Sequence, residues 1–429
     1  MATFTSQDII TFFLGLAVLL GVARAVGELA LRYRQPVIVG EIFGGILLGP
    51  AVFGYVAPEF SGWLLPITGG ASTVFEGLTV LSAALLLLVA GLEVELSLIW
   101  RQGRGVLSTS LMGFVLPFGV GFAAVWLFPG SIGQQHIGAD QRLFALFFGT
   151  ALTISALPVI AKTLMDLNLF KSRVGMVVMA AAMLDDLVGW IFFSVLLGLS
   201  SAGGLSGMNI GWTIGLTIGF TVLLLTAGRG AANRVLPWVR ERLTWPGGVL
   251  GFVLVSALAG AAATEAIGIH AVFGAFLVGI AIGDSKQLDE KTRDIVKQFV
   301  LNFFAPLYFV SIGLKVNFAA HFDVALIMLV LALGCLSKVV GSGLGAYWGG
   351  FGKREALAVG FGMNARGMMQ IIFGTLAFEH GLIGESMLVA FVVMALVTSV
   401  LAGPMMERFM GQRRQQVVGA ELVSPTGSG

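Results

Sequence analysis

An all-α polytopic membrane protein of about thirteen transmembrane helices is predicted by three features of this sequence. It is 57% hydrophobic and only 11% charged over 429 residues, with a mean hydropathy of +0.94, whereas a soluble protein carries about 25% charged residues. Apolar runs near the ~20 residues that span a bilayer recur from end to end. The remaining charge is sorted, with basic residues gathered in alternate connections between the runs.

The runs lie at roughly 8–23, 36–57, 74–92, 105–128, 142–161, 174–199, 209–227, 247–266, 267–283, 298–314, 323–349, 355–378 and 384–407. The eighth and ninth are separated only at Gly268. Connections after odd-numbered runs hold 21 of the 25 Lys and Arg, from Arg24, Arg32 and Arg34 to Arg408, Arg413 and Arg414. Connections on the other side hold only Arg142 and Lys315, and Lys338 and Arg366 lie inside runs. The positive-inside rule then puts the N-terminus outside and the C-terminus in the cytoplasm. Adding or losing one run anywhere scrambles this sorting, which supports the count.

Residues 1–407 read as one membrane unit and 408–429 as a short cytoplasmic tail. The opening MATFTSQD lacks the basic segment and cleavage site of a signal peptide. The single Cys335 sits in an apolar run, so no disulfide framework is expected. The basic stretches 229–242 and 284–297 read as topology determinants rather than nucleic-acid patches, and the second as a solvated linker helix. The expected partners are therefore lipid and ions, with no nucleic acid.

Two runs are interrupted. The fifth holds TISALPVIAK, where Pro158 removes a backbone donor in mid-membrane. The twelfth holds GFGMNARGMMQ, three glycines around Asn364 and Arg366. Non-helical backbone at that depth survives only inside protein or beside a water-filled cavity. Runs four to six and eleven to thirteen are thus two triplets, each with a broken middle member and of opposite starting orientation. That is the pattern of inverted-topology repeats whose broken helices cross near the midplane at a substrate site, and it defines a core bundle at about 105–199 and 323–407 with the other helices as scaffold.

Four charges stand well inside runs: Asp185, Asp186, Lys338 and Arg366. Buried charge is tolerated when paired, so two acids and two bases point to pairing across the repeat interface. Neighbours on a helix point about 100° apart, so one aspartate can face a lysine while the other faces a cavity. A purely structural salt bridge between helices has no use for a second, repelling carboxylate alongside. The pair instead suits exchange of a proton for a small cation, with oxygens supplied by Asp185, Asp186, Thr153, Ser155 and carbonyls freed around Pro158. Asn364 and Arg366 read as holding the carbonyl ends of the second break rather than contacting the ion. Glu41 and Glu76 are further candidates near the site, and Glu93 and Glu95 read as interfacial. The histidines at 136, 270, 321 and 380 lack ligand spacing, so no metal centre is expected apart from transported Na+ or K+ at Asp186 and Asp185.

The motifs QPVIVGEIFGGILLGP (35–50), LLLLVAGLEVEL (85–96), TISALPVIAKTLMDLNL (153–169), AAMLDDLVGWI (181–191), HAVFGAFLVGIAIG (270–283) and FFAPLYFVSIGLKVNF (303–318) resemble the monovalent cation:proton antiporter-2 family. The resemblance runs from about 35 to 407. It implies the thirteen-helix sodium/proton antiporter fold, a homodimer with dimerisation and core domains, elevator-like alternating access and a plasma membrane of the bacterial inner-membrane type. It makes Asp186 the main ion and proton carrier, pairs Asp185 with Lys338, and puts the hydroxyl of the first broken helix at Ser155, with Thr153 close by. The complete Asp-Asp and lysine set favours electrogenic Na+/H+ exchange. TISALPVIAKTL and GMNARGMMQIIFGTLAFEHGLI look closer to the plant and potassium-type branch, which keeps K+/H+ exchange open. No cofactor is implied, and no nucleotide-binding regulatory domain is expected in this chain.

An intramembrane aspartyl protease also needs two acids, but on different helices facing one another, so the adjacent pair argues against an enzyme. A sodium-coupled solute symporter needs more polar groups at the breaks than Asn364 and Arg366 supply.

Overall fold

Long apolar runs become helices because lipid leaves backbone polar groups no partner outside the segment. Every element among the described residues is helical. The computed structural model describes residues 5–423 except 34, 67, 95–102, 129, 131, 133–140, 168, 171, 202–206, 245, 286–287 and 319. Glu95, His136, Arg34, Arg101, Lys171 and Lys286, all named from the sequence, lie outside the described residues, as do the side chains of Arg413 and Arg414.

In chain order the main helices are α1 (Ser6–Arg32), α2 (Val37–Leu48), α3 (Gly70–Leu92), α4 (Arg104–Leu127), α5 (Gln141–Ala151), α6 (Leu157–Asp166), α7 (Arg173–Ser201), α8 (Gly207–Leu223), α9 (Arg229–Arg242), α10 (Gly247–Ala266), α11 (Ala271–Gly283), α12 (Glu290–Phe299), α13 (Ala305–Lys315), α14 (Val324–Trp348), α15 (Lys353–Met363), α16 (Met368–Glu379) and α17 (Glu385–Val423). Single π-turns at Leu224–Gly228 and Val300–Phe304 join α8 to α9 and α12 to α13 into longer rods. Ten described helices or joined rods are long and apolar enough to cross a membrane. Thirteen crossings require in addition that α11, the α5–α6 pair and the α15–α16 pair each traverse it.

Helix ends follow from local chemistry. Thr5 and Asp8 form a reciprocal capping box on α1. Asp289 caps α12 and Asp323 caps α14, each carboxylate accepting a backbone N–H of the first turn. Gly268 takes φ +80° in the turn between α10 and α11, a left-handed conformation that favours glycine. The first basic stretch is helical throughout, α9 continuing α8 through its π-turn, and the second is helical from Glu290, where α12 begins and leads into α13. The last helix runs on to Val423, through most of the stretch read as a tail.

Two groups of helices emerge from the packing. In one, α14 lies along α4, with α5, α7, α15, α16 and α17 around them. In the other, α11 lies along α3 and α10, and α2 along α1 and α13. Small residues permit the closest approaches. A Cβ on Gly345 of α14 would meet the Ser108 carbonyl of α4 at 2.2 Å, and one on Gly91 of α3 would meet the Phe276 carbonyl of α11 at the same distance. The groups meet where α7 faces α11, with Trp190 against Phe276.

Candidate functional site

Pro158 lacks an N–H and fits only the first turn of a helix, so the fifth run stops at Ala151 and restarts at Leu157. The twelfth stops at Met363 and restarts at Met368. The two breaks lie side by side: the Ala156 N–H donates to the Ala365 carbonyl at 2.9 Å, and the Ser155 hydroxyl to the Met363 carbonyl at 2.8 Å. On α17, the Thr398 hydroxyl accepts from the Arg366 N–H at 3.3 Å and the Ser399 hydroxyl donates to the Arg366 carbonyl.

Breaking α5 frees three successive carbonyls, and two buried cations take them. The Arg366 guanidinium donates to the carbonyls of Ala151 at 3.0 Å and Leu152 at 2.6 Å, and also to Gly334 and the Gln370 side chain. Lys338 donates to the Thr153 carbonyl at 2.5 Å. Positive charge at this end is what the helix dipole favours. Neither side chain has any exposed surface.

Lys338 also reaches Asp185, its Nζ 2.6 Å from Oδ2 with both side chains fully buried, and it donates to the Gly113 carbonyl at 3.1 Å. The other oxygen of Asp185 accepts the Ser110 hydroxyl at 2.5 Å. Asp185 is therefore neutralised and fully occupied. Of the two acid–base pairs that the sequence suggested, this one forms, while Arg366 is turned to carbonyls.

Asp186 stands differently. It is 1% exposed, yet neither of its oxygens has a hydrogen-bond partner. Its charged neighbours are Asp185, Lys338 and Glu93, and the Ser155 backbone amide faces it without reaching full hydrogen-bond geometry. The Thr153 hydroxyl turns back to its own Thr150 carbonyl at 2.7 Å. Asn364 is buried with its Oδ1 unpartnered, beside the crossing. One turn along α7 from Asp186, Trp190 joins Phe147, Phe193, Phe276 and Phe373 in a continuous aromatic layer.

The other candidates separate. Glu41 is 2% exposed and lines a cavity of about 270 Å³, whereas Glu76 is exposed on α3. Glu93 accepts from Lys297 at 2.5 Å. His270 and His380 meet edge to face, ring centres 5.0 Å apart, between α11 and α16, a contact their separation in sequence conceals. Ser110, Gly113 and Gln370 escaped the sequence reading. A serine in an apolar run carries no mark of the acid it meets, although its spacing of three from Gly113 puts both on one helix face.

The sodium/hydrogen exchanger transmembrane family profile matches residues 15–411. Cation/H(+) antiporter 18 of Arabidopsis thaliana is 31% identical over 421 residues, covering 94% of this chain and 50% of that protein. Na(+)/H(+) antiporter NhaS4 of a Synechocystis strain is 26% identical, covering 93% of this chain and 97% of that one. Other relatives carry K(+)/H(+) in their names. This chain spans about half the length of the plant relatives it matches. The solved structure of the sodium proton antiporter MjNhaP1 from Methanocaldococcus jannaschii covers 94% of this chain at a TM-score of 0.59 and 16% identity, which gives the fold alone. Fold, motifs and profile agree: the chain belongs to the sodium/hydrogen exchanger family of transmembrane proteins.

Proposed function

We propose that this chain is a secondary active antiporter that exchanges a monovalent cation, Na+ in preference to K+, for H+, with Asp186 as the carboxylate that carries either. The observation behind the reading is the contrast between the two neighbours. Asp185 is neutralised by Lys338 and bonded by Ser110, while both oxygens of Asp186 are buried and bare. A bare ionised carboxylate at membrane depth costs at least about 2.5–3.5 kcal/mol. Asp186 must therefore hold a proton or a cation, and one carboxylate competes for the two. The same cost couples transport: an empty, charged carrier is penalised in crossing the apolar surroundings, so it crosses only when loaded. Additional oxygens for the ion come from the hydroxyls of Thr153 and Ser155 and from carbonyls of the break beyond the three that Arg366 and Lys338 hold, in a frame that Pro158, Asn364 and Arg366 support.

The complete Asp185, Asp186 and Lys338 set supports Na+ and electrogenic exchange, with Asp185 holding Lys338 or releasing it as the ion arrives. The two packing groups suit an elevator motion of the core (about 105–199 and 323–407) against a scaffold that also carries a homodimer contact. The sorting of basic residues supports an outside N-terminus and a cytoplasmic C-terminus in a bacterial inner membrane. No cofactor enters, since the transported ions do the chemistry.

The experiment is proton flux in proteoliposomes followed with a pH-sensitive dye. A pulse of Na+ should move protons through the wild type, with a smaller response to K+, and not through Asp186→Asn. Wild-type flux in D186N refutes the assignment.

A further inference from the structure

The 270 Å³ cavity lies between the two helix groups, at the ends that carry the basic connections. Four charged side chains line it: Arg24 on α1, Glu41 on α2, Glu93 after α3 and Lys297 on α12. Three are matched. Lys297 donates to Glu93, and the Arg24 guanidinium donates to Asn302 twice, at 2.8 Å to its carbonyl and 2.6 Å to its side chain. Glu41 is the exception, because its Oε2 is buried without a donor although Arg24 is its nearest opposite charge.

Rotation cannot relieve Glu41. A Cβ on Gly40 would meet the Val26 carbonyl of α1 at 2.3 Å, and one on Gly45 the Val310 carbonyl of α13 at 2.1 Å. The helix is wedged by backbone on both sides, which fixes the helix face that carries Glu41. A buried carboxylate oxygen without a donor, in a cavity whose other charged side chains already have hydrogen-bond partners, needs a proton or a cation to neutralise it. The cavity exceeds the ~30 Å³ share of one water several-fold, so it accommodates a cation with part of its hydration shell. Ala156 and Pro158 are among its lining residues and come just after Ser155, whose backbone amide faces Asp186.

We propose that Glu41 is a second cation station, at which a partly hydrated monovalent cation waits in the cavity before it passes across the first break to Asp186. Glu93 is unsuited to this role because Lys297 already neutralises it. The proposal rests on the antiporter reading and adds a site to it.

The test uses the full chain in vesicles of each orientation, with ²²Na+ and, as a K+ surrogate, ⁸⁶Rb+ as probes. Glu41→Gln removes the charge at nearly constant shape. It should raise the half-saturating cation concentration at the cavity face by about fivefold or more, leaving the maximal rate and the opposite face within about twofold. Leu301→Lys, on the cavity wall, should raise it similarly by filling the space with a tethered ammonium, and it serves if E41Q does not fold. An unchanged value at the cavity face in either variant, or an equal rise at both faces, overturns the station. Wild-type exchange with an unaltered E41Q removes the station alone, whereas no cation-driven proton movement in the wild type removes the antiporter reading and the station together.

Discussion

Replacing Lys338 with methionine isolates the energy of the fully buried Lys338–Asp185 ion pair. Met keeps the length and the apolar stem, so little packing is lost, but the ammonium and its three bonds go. The Gly113 carbonyl lies four residues before Pro117, which has no N–H, so it loses the donor that stands in for the missing helical bond. The Thr153 carbonyl lies in the break, and orphaning such a group costs about 1–3 kcal/mol. Asp185 is left buried with Ser110 as its remaining donor, and stripping one partner from a buried pair costs about 3–5 kcal/mol in all. Removing both charges avoids most of this, because apolar replacement of a buried pair is often neutral. Thermal unfolding in detergent, run on Lys338→Met, Asp185→Leu and the double variant, closes the cycle. Each single variant should unfold well below the wild type, and the double variant should recover toward it, with a coupling of about 2 kcal/mol or more. Additive losses would show that the 2.6 Å contact is not an energetic unit and would refute the reasoning.

Two further substitutions probe the frame around the site. Gly113→Ala puts a Cβ 2.4 Å from the Ser342 hydroxyl across the α4–α14 contact, so it should cost about 1–3 kcal/mol in the same assay, and adding Ser342→Ala should restore most of that. Arg366→Lys trades a fork that spans the Ala151 and Leu152 carbonyls for one nitrogen, losing at least one charge-assisted bond worth about 1.5–3 kcal/mol. Its unfolding temperature should drop with the Na+/K+ preference of exchange unchanged, and a switched preference would mean that Arg366 bears on the ion.

The sequence disclosed those features whose cause is local. Apolar runs report helices because lipid imposes the rule residue by residue, and Pro158 and the glycines around Asn364 report breaks because each alters the backbone where it stands. Lys338 and Asp185 were legible as buried charges needing partners. What was hidden depends on neighbours far along the chain: the Ser110 hydroxyl on Asp185, the sharing of three carbonyls between Arg366 and Lys338, and the edge-to-face contact of His270 with His380. The helix at 229–242 was also obscured, because hydropathy falls at the membrane surface whereas a charged helix continues past it. Glu93 and Lys297, each unremarkable alone, are joined only by the fold.

The central claim is that one carboxylate, Asp186, holds either a proton or the cation. Titrating Na+ into purified protein in a weakly buffered solution, with a pH indicator present, tests it without transport or orientation. Binding should release more than one proton per cation in the wild type, one from Asp186 and the remainder from Lys338 as Asp185 lets it go, and none in Asp186→Asn, with the release declining at pH values where the site is already deprotonated. Undiminished release in D186N, or cation binding to the wild type with no proton released at any pH, would contradict the account.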